Sequence, residues 1–230
     1  MPPTKFSKLS DIVPLLQSME SEENRLGMGR FGINVERALG IKVTDLRKLA
    51  RRIDKGHTLA LELWDTGIHE ARLLATMIDV PAAVTEEQME NWASDFDSWD
   101  MVDQACNNLF RKTPFAHTKA ARWAARDEEF IKRAGFALMA VLAVHDKSSD
   151  DTVFLSYLDL VHRESTDERN FVKKAVNWAL RQIGKRDPLM LEKAVAIAVR
   201  TADQDSKSAR WIAADARREL IRVGQERGWE

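Results

Sequence analysis

Signals for the start of a helix follow one another along this sequence almost without interruption. Thr85 stands before Glu86-Glu87-Gln88, which is typical of a capping box. Thr113-Pro114 and Asp187-Pro188 each place a capping side chain before a proline at the first helical position, where the missing N–H costs nothing. Ten glycines and six prolines in 230 residues are too few turn formers for a sheet-rich fold. The sequence therefore predicts an all-α protein.

The apolar periodicity and these start signals together place the helices. We predict them at residues 9–20, 34–39, 44–54, 58–65, 68–79, 85–96, 98–110, 114–125, 127–145, 150–163, 167–184, 188–202 and 207–227. No linker rich in Gly, Ser or Pro divides the chain, so we expect one domain over residues 1–230, with residues 1–30 as an N-terminal helical cap.

A repeat appears in the second half of the sequence. Residues 130–134 (FIKRA) recur as residues 171–175 (FVKKA), at an offset of 41 residues. This period is typical of the two-helix unit of HEAT and armadillo proteins, although two copies also allow a chance similarity between amphipathic helices. We predict a HEAT-like solenoid, an α-α superhelix of stacked antiparallel helix pairs with a concave binding face.

Charge and composition exclude several classes of protein. A single cysteine, Cys106, excludes an intramolecular disulfide and a cysteine-based zinc site. No apolar run is long enough to span a membrane, and residues 1–5 lack the apolar core of a signal peptide, so we expect a cytoplasmic protein. We also expect a monomer. The net charge is −1, but residues 1–110 carry 12 Lys/Arg against 18 Asp/Glu, and residues 111–230 carry 23 against 18. The basic surplus therefore lies in the second half.

The segment 95–104 (DFDSWDMVDQ) groups carboxylates around a tryptophan. It lacks the glycine and the final glutamate of a calcium loop. Asp97, Ser98 and Asp100 suit a helix start, where the macrodipole favours negative charge. Asp103 lies past the first turn and shares a helix face with Trp99, four residues before it. The pair fits either a functional site or a salt bridge from Asp103 to a basic residue with Trp99 in the core.

Cations and a second tryptophan share another predicted helix face. Lys174 aligns with Arg133 across the repeat, Trp178 follows Lys174 by four residues, and Arg181 follows Trp178 by three. This stripe fits a binding surface for a polyanion. It also fits a core tryptophan flanked by Lys and Arg stems that reach to water.

Two further patterns do not predict a site. His69-Glu70-Ala71-Arg72-Leu73 begins like a metalloprotease helix but has leucine where the second histidine is required. Residues 27–32 (GMGRFG) follow no predicted strand, so we interpret them as a loop rather than a dinucleotide fingerprint. The five histidines lack metal-ligand spacing and are interpreted as surface or structural residues. We therefore expect neither a metal nor a cofactor.

Three blocks of the sequence resemble the AlkD-like DNA alkylation repair proteins. The blocks are residues 98–103 (SWDMVD), 132–134 (KRA) and 173–181 (KKAVNWALR), and the likeness extends from about residue 30 to residue 220. Members of this family are HEAT-like solenoids that excise cationic N3- and N7-alkylated purines. The resemblance implies a DNA glycosylase of base excision repair that acts on double-stranded DNA.

The resemblance also implies a role for individual residues. Trp99, Asp103 and Trp178 correspond to the residues that form a cleft around the damaged nucleotide, and Arg133 to the one that contacts the backbone beside it. We expect Lys173, Lys174, Arg181 and Arg210 to contact DNA as well. The alternative is a HEAT-like protein without enzymatic activity that binds branched or damaged DNA, or a protein partner.

Overall fold

The structure, a computed structural model, describes residues 6–229 and is all-α over that range, apart from one isolated β-bridge between Phe6 and Ile53. Its α-helices are α1 (Leu9–Ser18), α2 (Glu22–Arg30), α3 (Val43–Ala50), α4 (His57–Asp65), α5 (His69–Ile78), α6 (Glu86–Ser94), α7 (Trp99–Asn108), α8 (Ala116–Ala124), α9 (Glu129–His145), α10 (Asp151–Glu164), α11 (Asn170–Gly184), α12 (Pro188–Ala202) and α13 (Lys207–Arg227). Two short 3-10 segments lie at Pro81–Ala83 and Phe110–Lys112. The prediction of an all-α fold is confirmed.

Side-chain caps start several helices, as the sequence predicts. Thr85 accepts a hydrogen bond from the Gln88 N–H at 3.0 Å, and Asp187 accepts one from the Met190 N–H at 2.8 Å. Each cap satisfies a backbone donor that has no partner within its own helix. Thr113 behaves differently, because its hydroxyl donates to the Phe110 carbonyl at 2.8 Å. The helix predicted from residue 114 therefore begins only at Ala116.

The region between α1 and α3 corrects two predictions. Residues 34–39 form turns rather than the predicted helix. Residues 27–32 are not simply a loop, because α2 covers Gly27 and Gly29. None of its residues is buried, and its N-terminus is fixed by Ser21, which accepts from the Asn24 N–H at 3.4 Å. A helix without an apolar face has no periodicity by which the sequence could reveal it.

The helices group into two compact units, which meet in the sequence between Thr113 and Pro114. In the first unit, α3, α5 and α7 lie side by side, and α1 packs on α4 and α5. Aromatic rings join α4 to α6, where Trp64 and Trp92 stack with ring centroids 4.0 Å apart. The Trp64 indole N–H donates to Asp95 at 2.8 Å, so this buried indole has its polar group satisfied.

The second unit consists of three antiparallel helix pairs: α8 with α9, α10 with α11, and α12 with α13. The second helices of the pairs, α9, α11 and α13, lie side by side. The repeated phenylalanines confirm the 41-residue period, because the Phe130 and Phe171 rings lie 5.7 Å apart at equivalent positions of successive pairs. Gly135 lets α8 and α9 approach closely, since a Cβ there would lie 2.3 Å from the Ala124 nitrogen.

Among residues 6–229, no helix combines the length and the hydropathy needed to cross a bilayer. Residues 1–5, on which the signal-peptide argument rested, lie outside the described range, as does Glu230.

Candidate functional site

The predicted site residues fall into two groups, which are described separately. Trp99 and Asp103 belong to α7 of the first unit. The basic residues and Trp178 belong to the second unit, mainly to α11.

One face of α7 carries half-buried side chains at four-residue spacing: Trp99, Asp103 and Asn107. Arg111 continues this spacing in the 3-10 segment that follows the helix. The opposite face is buried and apolar: Met101, Val102, Ala105 and Cys106. This division fixes the rotation of the helix about its axis, because the apolar face must pack against the core. Trp99 and Asp103 therefore lie one turn apart on the same half-buried face, as their spacing predicts.

The indole of Trp99 lies at the first position of α7 and is not a core residue. It is half-buried, and its Nε1–H donates to the Phe31 carbonyl at 3.0 Å. The chain just before it is held in the same region, because the Ser98 hydroxyl accepts from the Asn34 N–H at 2.8 Å. The Ser98 side chain therefore does not cap α7, although Ser98 is the residue that precedes the helix. These bonds position the indole at the end of the helix.

Asp103 is half-buried at the fifth position of α7. A half-buried carboxylate keeps contact with solvent and can also face a ligand. This placement suits electrostatic stabilisation of a positive charge.

The corresponding face of α11 carries Lys174, Trp178 and Arg181 along one stripe. Lys174 is exposed, and Trp178 and Arg181 are half-buried. Val172, Val176 and Ile183 pack on the buried side of the same helix. The prediction that Trp178 shares a face with cations agrees with these exposures.

Arg181 is engaged within the second unit. Its guanidinium forms an ion pair with Glu219 of α13, and Lys185 pairs with the same carboxylate. Burial by itself raises the pKa of Glu219, but the hydrogen bonds from Lys185 and Arg181 hold it below its ordinary value. A phosphate would therefore have to compete with Glu219 for the Arg181 guanidinium.

Arg133 is buried in α9, with only 6% of its surface exposed. Its Nη1 donates to the carbonyl of Phe171, in the first turn of α11, at 2.7 Å. The guanidinium thus joins two neighbouring helices of the second unit. This contact gives Arg133 a structural role, in addition to the backbone contact that the resemblance implies.

An exposed tryptophan, which the sequence analysis missed, lies near the remaining cations. Trp211 of α13 is 41% exposed, and the Lys173 Nζ lies 5.5 Å from its ring centroid, within the range of a cation–π interaction. Arg210, the residue before Trp211, is exposed, and its Nη1 lies 3.4 Å from Asp205 Oδ1. The adjacent Arg210 and Trp211, a cation beside an indole, were the available signal in the sequence.

The first unit also contains a buried ion pair that spacing could not reveal. His69, the first residue of α5, and Asp100, the second residue of α7, lie with Nε2 and Oδ2 2.9 Å apart. Burial by itself lowers the pKa of His69, but the hydrogen bond and the charge of Asp100 raise it above its ordinary value. The 31 residues between the two positions separate them in sequence, and only the packing of α5 on α7 joins them.

Comparison with known proteins identifies the family to which this chain belongs. A family model described as DNA alkylation repair enzyme matches residues 12–220. The chain therefore belongs to the DNA alkylation repair enzyme family. This confirms the resemblance inferred from the three sequence blocks.

A solved structure has the same fold. It is described as belonging to a new family of proteins related to the HEAT-like repeat DNA glycosylases, with affinity for branched DNA structures. It superposes with a TM-score of 0.79 over 94% of both chains, at 21% sequence identity. The prediction of a HEAT-like repeat fold is therefore confirmed.

Two bacterial relatives are similar in sequence over a shorter stretch. They are the uncharacterised proteins Lin0241 of Listeria innocua and Lmo0209 of Listeria monocytogenes, each 28% identical over 102 residues. The match covers 43% of this chain and spans 46% of the length of each relative.

Proposed function

We propose that this protein is a DNA glycosylase that excises N3- and N7-alkylated purines from double-stranded DNA in base excision repair. The observation that carries the proposal is the pairing of Asp103 with Trp99 on the half-buried face of α7, in a member of the DNA alkylation repair enzyme family. Repair-family membership alone does not require a carboxylate at this position. A protein that only bound DNA would gain nothing from it, because the carboxylate repels phosphates.

The chemistry requires little beyond that carboxylate. An N3- or N7-alkylated purine is already cationic, so it leaves without a general acid. As the bond from C1′ to the base nitrogen breaks, its electron pair passes to the base, and positive charge develops on the deoxyribose. Asp103 stabilises that charge, and it orients the water that adds to C1′ and releases a proton.

A single charge pair is strong enough for this task. At a separation of about 4 Å and an effective dielectric constant of about 20, two opposite unit charges attract by about 4 kcal/mol. Because about 1.4 kcal/mol corresponds to a factor of ten in rate, this attraction accounts for about a thousandfold acceleration. The lability of the cationic lesion supplies the rest of the rate.

The two indoles provide selectivity for charged lesions. Trp99 and Trp178 are both half-buried rather than sealed in the core. The face of an indole attracts a cation by about 0.5–2 kcal/mol and attracts a neutral base less. In this proposal the indoles attract the cationic nucleotide, and no base edge is read by hydrogen bonds.

Binding to phosphates falls to the second half of the chain, where the basic surplus lies. Lys174 and Arg210 are its exposed members among the proposed contacts, and Lys173 is half-buried beside Trp211. Arg133 and Arg181 contribute a positive field from positions that are already hydrogen-bonded. With a net charge of −1, the protein depends on this local field for its affinity.

The test is the release of free base from methylated duplex DNA, followed by chromatography against a reaction without protein. We expect 7-methylguanine or 3-methyladenine to be released well above the spontaneous rate. Release at the spontaneous rate would refute the proposed activity.

A second candidate function is binding of branched DNA without excision, favoured by the affinity for branched DNA of the structurally similar family. Competition between a three-way junction and a linear duplex of equal length tests it. Preferential binding of the junction, together with base release at the spontaneous rate, would favour this second function over the first.

A further inference from the structure

A cavity of about 780 Å³ lies in the first unit, at the N-terminal end of α7. Its walls are mostly apolar and come from α2, α3, α5 and α7: Leu26, Met28, Phe31, Val43, Leu73 and Trp99. Cavities that bind small molecules typically measure about 300–1,000 Å³ and combine such walls with a few polar groups. The cavity is therefore of a size and character that suit a small flat ligand.

The polar groups of this cavity include the buried pair of His69 and Asp100. Asp100 is 8% exposed, and its Oδ2 lies 2.9 Å from His69 Nε2. Its other oxygen, Oδ1, is buried and has no hydrogen-bond partner among residues 6–229. Buried carboxylate oxygens nearly always accept hydrogen bonds, because an unsatisfied one costs free energy. Oδ1 has almost no accessible surface, so a ligand reaches it only when the Asp100 carboxylate turns toward the cavity; a ligand with an N–H group then supplies the donor that Oδ1 lacks.

The surroundings of the cavity disfavour a cationic ligand. Three helices, α3, α5 and α7, begin at residues that line it: Val43, His69 and Trp99. A helix N-terminus carries partial positive charge. His69 already hydrogen-bonds to Asp100, so the carboxylate does not require a cationic ligand. A neutral molecule with a hydrogen-bond donor fits these conditions best.

We propose that this cavity binds a free, neutral purine that carries an exocyclic amino group. The ring lies against the Trp99 indole and the apolar walls, and the amino group donates to Asp100 Oδ1. When the glycosidic bond of an N3- or N7-alkylated purine breaks, the base takes up the bonding electrons and becomes neutral. The excised base then belongs to the class of ligand that the cavity accepts. Only this link to excision rests on the proposed function; the binding site itself does not.

Two glycines of α2 offer a matched pair of variants. Gly27 lines the cavity, and a Cβ at this position would meet nothing within 4 Å. Gly29 does not line it, and a Cβ there would lie in ordinary contact with Val35, at 3.8 Å. Leucine at residue 27 occupies part of the cavity, whereas leucine at residue 29 makes the same change to α2 outside the cavity. Both changes replace glycine in a helix, so both favour helix formation.

The experiment is calorimetric titration of the full-length protein with 3-methyladenine, adenine and unsubstituted purine. We expect wild-type protein and Gly29→Leu to bind 3-methyladenine equally, and Gly27→Leu to bind it at least about tenfold more weakly. Adenine should bind about tenfold more tightly than purine, because purine lacks the amino donor. Circular dichroism establishes that both variants are folded.

Equal affinity of Gly27→Leu and Gly29→Leu, or no wild-type binding at about 1 mM ligand, would overturn the proposal. Equal binding of adenine and purine would overturn the role of Asp100. Asp103→Ala separates this site from the excision chemistry, because we expect it to lose excision and to keep its affinity for 3-methyladenine. Binding by a protein that releases no base would refute the proposed function and leave the purine site standing.

Discussion

The half-buried faces of α7 and α11 are built alike but carry different groups. On α7 a tryptophan is followed one turn later by a carboxylate, Asp103; on α11 a tryptophan is preceded one turn earlier by a cation, Lys174. Both faces are set by the same device, an apolar side that packs inward. If the protein is the proposed glycosylase, we infer from this difference a division of labour: the first unit supplies the charge that lowers the reaction barrier, and the second supplies the field that holds DNA.

Asp103→Asn tests the chemical side of this division and has the largest expected effect. The amide keeps the shape of the side chain and removes its charge, so the stabilisation of the developing cation is lost. We expect the single-turnover rate of base release to fall by about a thousandfold. Asn107→Ala, on the same face of α7, is the matched control and should change the rate by less than about threefold. A similar loss of rate in both variants would show that the charge of Asp103 does not cause the effect.

Arg133→Ala tests the structural contribution of the buried guanidinium. The change leaves the Phe171 carbonyl without this donor and removes a buried side chain between α9 and α11. We expect the free energy of unfolding to fall by about 2 kcal/mol in urea denaturation. Lys174→Ala, at the equivalent position of the next repeat, is exposed and should change it by less than about 0.5 kcal/mol. Equal effects would contradict the distinction between the two repeat positions.

Trp178→Ala tests whether the indole of α11 acts on the lesion. Loss of a cation–π contact worth about 1 kcal/mol predicts a rate of base release lower by roughly five- to tenfold. Trp178→Phe should recover part of that loss, because phenylalanine keeps an aromatic face. Trp211→Ala is the control for removal of an exposed indole and should leave the rate unchanged. If the two alanine variants behaved alike, Trp178 would have no special part in the reaction.

Lys174→Ala tests the binding side of the comparison. The expected effect is a modest loss of affinity for duplex DNA, with the slope of log K against log salt reduced by about one. Fluorescence anisotropy at several salt concentrations measures this slope. An unchanged slope would remove Lys174 from the phosphate contacts.

The two units should also respond to pH in opposite directions. The pKa of His69 is raised in the folded first unit, so its contribution to stability is present below its unfolded pKa of about 6.5 and is lost as pH rises through the folded value. The pKa of Glu219 is lowered in the second unit, so its contribution is present above its unfolded pKa of about 4.5 and is lost as pH falls.

His69→Gln isolates the first of these effects. Urea denaturation of wild type and variant at about pH 5.5 and about pH 8.5 gives the difference in stability between them. We expect the wild type to have the larger free energy of unfolding at the lower pH, and this difference from the variant to disappear at the higher pH. A difference that stays constant would contradict the assignment of a protonated His69.

The sequence predicted those features of the fold that arise from local interactions. Helix α12 was predicted with its exact bounds because Asp187 and Pro188 mark its start and its apolar face continues to the end. Helix α2 was missed because its position depends on Ser21 and on the Arg25 guanidinium, which contacts the Val35 carbonyl at 3.4 Å, rather than on a buried face. Periodicity reports burial, so a helix without buried residues leaves no trace in it.

The candidate site was predictable only in part for the same reason. The shared face of Trp99 and Asp103 follows from their four-residue spacing on one helix. The ion pair of Arg181 with Glu219 joins residues that are 38 apart, and the pair of His69 with Asp100 joins residues that are 31 apart. Such pairs depend on which helices pack together, and a single sequence does not state this.

The most direct test of the division of labour is to measure rate and affinity together for two variants. Asp103→Asn and Lys174→Ala are compared with the wild type on the same methylated duplex. The rate of base release is measured at a saturating protein concentration, and the dissociation constant is measured in the same buffer. The account predicts a crossed result: Asp103→Asn loses rate and keeps affinity, whereas Lys174→Ala loses affinity and keeps rate. Parallel losses of rate and affinity in both variants would contradict it.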